Sequence, residues 1–137
     1  MKDHITLKRT YACTVDRLWR ALTDPEAMSQ WLMPCDIAPV IGHKFQFRTE
    51  PQRGFDGIVH CEVLEVLPKK RLVFSWCNGK LDTKVSFELK DKGDTVDLYF
   101  KHSGFSGIFE RVFVRQILAN GWRKKILTKN LVTYLRS

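Results

Sequence analysis

From residue 43 to residue 102 apolar side chains recur at every second position, and beyond Gly107 the spacing changes to three and four. A period of two sends successive side chains to opposite faces of a strand, whereas spacings of three and four stack them along one side of a helix. In the first region Phe45 and Phe47 alternate with Lys44, Gln46 and Arg48. Leu72, Phe74 and Trp76 share a face, as do Val85, Phe87 and Leu89, and then Val96, Leu98, Phe100 and His102. The runs are separated by short turn signals, Pro68-Lys69-Lys70, Asn78-Gly79 and the DKGD segment at 91–94. Tight turns join antiparallel neighbours, so the pattern predicts a meander and excludes parallel β-α-β units. The segment at 58–67 is apolar on both faces. Ile58, His60, Glu62, Leu64 and Val66 form one set, and Val59, Cys61, Val63, Glu65 and Leu67 the other. The register after Pro68 decides which faces inward, and the expectation is that His60 and Glu62 point out.

Two helices and another strand precede the meander. Ile5, Leu7 and Tyr11 fit an edge strand over residues 4–12, for about six strands in all. Thr14 is a candidate N-cap for a helix carrying Val15, Leu18, Trp19 and Leu22 on one side. Asp24 with Pro25 repeats the start signal for a second helix, ended by Pro34 and Pro39. After Gly107, the residues Phe109, Val112, Phe113, Ile117, Trp122, Ile126, Leu127, Leu131, Tyr134 and Leu135 predict one long amphipathic helix. A sheet with one apolar face and a helix with one apolar stripe bury both if the sheet curls round the helix. The fold class is therefore α+β, a single domain over residues 1–137 with a curved six-stranded antiparallel sheet around the C-terminal helix and two short helices after the first strand.

Composition narrows the function classes. Hydrophobic residues are 44% of the chain and aromatics 12%, which fits a packed core. No apolar run reaches the roughly 20 residues of a membrane-spanning helix, and the first residues show no signal-peptide core, so a cytoplasmic protein without a membrane partner is expected. Cys13, Cys35, Cys61 and Cys77 lack zinc or redox spacing and read as free thiols. The net charge of +8 raises nucleic acid as a partner, but Lys69-Lys70-Arg71 and Arg123-Lys124-Lys125 sit in no nucleic-acid motif, and none is expected. His4, His43, His60 and His102 have no ligand spacing, so neither metal nor cofactor is expected. Ser103 beside His102 points to the opposite face, and no nucleophile elbow or phosphate-cradling loop exists. No catalytic residue is assigned, and the chain reads more as a binding protein than as an enzyme.

Four stretches carry a family resemblance: VDRLWRALTDPEAMSQWLMP at 15–34, LPKKRLVFSW at 67–76, VSFELKDKGDTVDLYFKHSGF at 85–105 and NGWRKKILTKNLVTYL at 120–135. They resemble the START-like, or SRPBCC, superfamily, and within it the small stand-alone bacterial type of the family named after the activator of the 90-kDa heat-shock protein ATPase. The resemblance implies the helix-grip fold and a hydrophobic cavity between the long helix and the sheet, which in different members holds lipids, polyketides or hormones. It also implies a stress-related chaperone contact as an alternative role, and the chain lacks room for the eukaryotic cochaperone's separate N-terminal domain.

The residues themselves point to the same cavity. Its expected lining is Trp31, Met33, Phe47, Phe74, Trp76, Phe100, His102, Phe105 and Trp122. His102 ends an apolar row, so it either offers one hydrogen bond to a ligand or is bonded to a backbone carbonyl or a neighbouring hydroxyl. The expected ligand is a small lipid-like or polyketide-like molecule. A cyclase or hydrolase using the same cavity would need a carboxylate or second histidine beside His102. A monomer or a weak homodimer is expected.

Overall fold

The computed structural model describes residues 3–51 and 55–136. Six strands, β1 (His4–Tyr11), β2 (Lys44–Arg48), β3 (Ile58–Leu67), β4 (Arg71–Asn78), β5 (Leu81–Asp91) and β6 (Val96–Ser103), form one antiparallel sheet in the order β1-β6-β5-β4-β3-β2. Helices α1 (Val15–Thr23) and α2 (Pro25–Trp31) follow β1, and a long helix, α3, runs over residues 110–135. The curled sheet and α3 make the helix-grip arrangement that the change of period implied.

Local chemistry accounts for the short helices. The Thr14 side chain accepts from the Arg17 amide at 3.2 Å, and the Asp24 carboxylate accepts from the Ala27 amide at 2.9 Å with Pro25 in the first turn. Each cap satisfies an amide that the helix itself leaves unbonded. The inward rows of the sheet are those read from the sequence: Phe45 and Phe47, Leu72 and Phe74 and Trp76, Val85 and Phe87 and Leu89, and Val96 to His102 on alternate positions are all buried.

On β3 the inward set is Val59, Cys61 and Val63, so His60 faces outward. A bulge between Val63 and Glu65 interrupts the ladder with β4. An extra residue on one strand breaks the alternation. Glu65, which would have followed Val63 inward, is thereby turned to the surface and pairs with Arg71 at 3.1 Å, while Val66 packs against the core. This is why neither face of β3 read cleanly.

The long helix departs from a simple α pattern. Its segments Glu110–Val114 and Gly121–Asn130 are bonded in π fashion, and Arg115–Asn120 and Leu131–Leu135 are α-helical. The Leu131 amide donates to Ile126 O and the Arg115 amide to Glu110 O, each five residues back. Ala119, Trp122, Leu127 and Leu131 are buried, but Ile108, Phe109, Val112, Phe113 and Ile117 are between 38% and 69% exposed. The expectation of a single apolar stripe facing the sheet is therefore corrected for the first half of the helix. In that half Val114, Leu118 and Ala119 pack inward instead, and the π-bonded segments change the rotation per residue between the two halves.

Candidate functional site

The site is built from the inward rows of β2, β4, β5 and β6 under the middle of α3. Phe47 stands 5.4 Å from Trp76 between ring centroids, and Trp76 is 5.6 Å from Trp122. Phe100 lies 4.5 Å from Trp122, and Phe105 lies 4.8 Å from the His102 ring. Phe74 connects these rings to Phe87 at 6.0 Å, and Trp31 meets Phe87 edge-on at 6.5 Å. Of the nine residues expected to line this space, eight are buried, and Met33 is partly buried at its margin. Between helix and sheet the rings touch one another, and the indole of Trp122 sits at the centre.

Gly104 positions the end of this wall. Its φ of +97° turns the chain out of β6, and a Cβ there would lie 3.4 Å from both Asp82 O and Thr83 Cα. Glycine therefore lets Phe105 fold back onto His102 at that close approach.

His102 is fully buried and fully bonded. The Trp122 indole N–H donates to its Nδ1 at 3.2 Å. An indole has no acceptor, so Nδ1 carries no proton and Nε2 does. Nε2–H then donates to the Thr83 hydroxyl at 2.8 Å, and that hydroxyl donates to Trp76 O at 2.7 Å. Burial pushes the imidazole pKa down to about 3, so the ring is neutral at ordinary pH. Of the two readings of His102, its native partners are a hydroxyl and an indole.

Sequence reasoning missed Thr83, Phe45 and Phe87 as members of this cluster. Thr83 had a signal, since it begins the inward row of β5 that continues through Val85, Phe87 and Leu89.

Groups that acid-base chemistry would need lie elsewhere. Glu62 belongs to the outward set of β3, with its backbone amide donating to the Ser75 hydroxyl at 2.8 Å, and Glu65 belongs to the surface network of Arg71 and Glu88. Burial raises the thiol pKa of Cys13, Cys35, Cys61 and Cys77, which keeps these free cysteines protonated and poorly nucleophilic. No three metal-ligating side chains converge among the described residues. An open groove of about 600 Å³ runs along the outer edge of β2, between Cys35, Asp36, Lys44, Arg48 and His60. It opens to solvent and has a mixed lining, with Pro34 and Phe45 beside the charged groups and Arg48 donating to Gln46 Oε1 at 2.6 Å.

An aromatic interior held between a curled sheet and a C-terminal helix defines a START-like helix-grip domain. The model of the family described as Activator of Hsp90 ATPase homolog 1-like protein matches residues 12–136, and the chain belongs to that family. Among solved structures it is similar to protein MLL2253 from Mesorhizobium loti, with 27% identity, a TM-score of 0.85, and 97% of this chain and 96% of that one covered. It also resembles DynU16, from the dynemicin biosynthetic locus, at 23% identity and a TM-score of 0.80, where the whole of this chain covers 48% of that one. The Aha1 dimer from Colwellia psychrerythraea matches at 17% identity with a TM-score of 0.77, over 94% of each chain. A sequence search of curated proteins gives no match.

Proposed function

We propose that this domain binds a small, largely apolar molecule between α3 and the sheet, with Trp31, Met33, Phe47, Phe74, Trp76, Phe100, His102, Phe105 and Trp122 around it. The observation that carries the reading is the buried imidazole at the end of the aromatic cluster, His102, whose Nδ1 acceptor is directed at the helix rather than at the sheet. A binding site in an apolar wall needs few such polar points, and they set orientation. The location of DynU16 in a biosynthetic locus is in keeping with a small-molecule role. The test is a screen of apolar compounds, lipids and polyketides included, against the wild-type protein by melting temperature and tryptophan fluorescence. A compound that raises the one and changes the other supports the reading. A screen without any such compound ends it.

Catalysis at the same place is the weaker reading, because no carboxylate is bonded to His102 among the described residues. A second reading, contact with a chaperone of the 90-kDa heat-shock class, is favoured by the exposed apolar stripe of α3 and by the family description. Direct binding of the purified chaperone, lost in a Phe109→Ser, Phe113→Ser variant, tests it. The stripe is also where a second copy of the chain would pack in a weak dimer. A cytoplasmic setting fits the four free thiols, and no described helix is long and apolar enough to cross a membrane.

A further inference from the structure

The rotation of α3 contains two alternatives. At 100° per residue an α-helix puts Trp122 and Leu131, nine residues apart, on opposite sides. Both are nevertheless buried against the body of the domain. The ten π-bonded residues Gly121–Asn130 make this possible. A helix bonded five residues back turns only about 82° per residue, which brings positions nine apart to within about 20° of each other.

The same bonding goes with an outward Phe109–Ile117 face in the first half of the helix, where Val114, Leu118 and Ala119 pack inward. Phe109 is eighteen residues before Leu127, and Phe113 is eighteen before Leu131. Eighteen residues are five whole α turns, so an uninterrupted α-helix would align Phe109 and Phe113 with the two buried leucines. In the structure they face solvent and stack on each other at 5.4 Å. Returning Gly121–Asn130 to α bonding would add about 18° per residue and swing the first half by about 180° relative to the second. The Phe109–Ile117 stripe would then turn toward the body of the domain, in line with Leu127 and Leu131, and Trp122 would leave the place it holds.

The place Trp122 vacates has a defined chemistry. Phe100 and Trp76 flank it, with ring centroids 4.5 Å and 5.6 Å from that of the indole. At one edge stands His102 Nδ1, an acceptor only, because Nε2–H is committed to Thr83 and the Thr83 proton to Trp76 O. An occupant that brings a carbonyl or carboxylate there would set acceptor against acceptor, whereas an N–H or O–H would restore the bond.

We propose that Trp122 occupies the ligand's place, and that the ligand is a small planar aromatic molecule with one N–H or O–H donor, admitted when α3 changes from π to α register. This rests on the binding reading above and names its ligand class and its gate. Stripe and indole exchange burial, so each register covers one apolar surface of the helix and uncovers the other.

The test uses the wild-type chain labelled with 5-fluorotryptophan, the Trp122 resonance being assigned by its loss in Trp122→Phe, and two matched pairs of probes, indole with benzofuran and 2-naphthol with naphthalene. The expected result is that the donor-bearing member of each pair binds about tenfold more tightly, the scale of one hydrogen bond. The Trp122 fluorine signal should move to a solvent-exposed position, and amide exchange should change over residues 121–130. In His102→Phe the two members of each pair should bind alike. Trp122→Ala, which has no indole to displace, should bind 2-naphthol more tightly than wild type. Equal binding within the pairs in wild type overturns the donor requirement, and binding that leaves the Trp122 signal in place overturns the exchange. If these probes fail but other apolar compounds of the wider screen bind, this proposal falls and the binding function stands. If nothing binds in either experiment, both fall.

Discussion

The two halves of α3 have similar apolar content and opposite fates. The second half seats Trp122, Leu127 and Leu131 at 1% exposure or less, while the first leaves Ile108, Phe109 and Ile117 more than 60% exposed. Burial in this helix is thus decided by which carbonyl each amide reaches, and hydrophobicity alone does not choose the face. Soluble domains seldom leave so many large apolar side chains together in water.

The strongest challenge to this contrast is Trp122→Ala. Removing a fully packed aromatic side chain should cost about 3–5 kcal/mol in denaturant unfolding. A loss below about 1 kcal/mol would mean that the helix had turned to its other register. In that background Phe113→Ser would become costly, and a double-mutant cycle would read the coupling.

Acid is the next lever. The His102 pKa in the folded state, about 3, lies below the ordinary histidine value of 6.5, so the unfolded chain takes up a proton that the native one refuses. The associated stability is complete above pH 6.5 and is lost as pH falls toward 3, at up to about 1.4 kcal/mol per unit. Between pH 6.5 and 4.5 the loss from this group is therefore about 2 kcal/mol, before protonation of carboxylates adds much. His102→Phe should flatten the stability profile in that interval.

Thr83→Val keeps shape but leaves the Nε2–H of His102 without its acceptor. A buried orphan donor costs about 1–3 kcal/mol, and the loss should be visible in the melting temperature. At the other end of the scale, Phe113→Ser should change stability by no more than about 0.5 kcal/mol, because its side chain already faces water. A larger loss would show that the stripe is covered in solution.

Most of the architecture was legible in the sequence, for reasons that also explain the gaps. Strand periodicity is local, so the inward rows from Phe45 to His102 could be read directly, and Thr14 and Asp24-Pro25 announced their helices through cap chemistry. β3 was ambiguous because a bulge is a property of two strands together, and no single run of residues encodes it. The helix could be located but its faces could not, since spacings of three and four presuppose the α bonding that Gly121–Asn130 lacks. His102 was legible as inward. Its partners were less so, because Trp122 reaches it only through the π segment, while Thr83 was available from the period of β5 and passed over.

The sheet order has a consequence in time. β1 pairs with β6 alone, Tyr11 opposite Val96 and His4 opposite Ser103, and the Tyr11 hydroxyl also bonds Leu127 O at 2.7 Å while the Arg9 guanidinium reaches the Thr128 hydroxyl at 3.1 Å. A strand made early in synthesis therefore has no partner until some ninety residues later. Contacts so distant in sequence slow folding, because a large loop must close before they form. On a ribosome the meander β2 to β5 can assemble first, with its aromatic face open. Once α3 emerges, the helix can close over that face, so a segment translated after the whole sheet ends the interval of greatest aggregation risk.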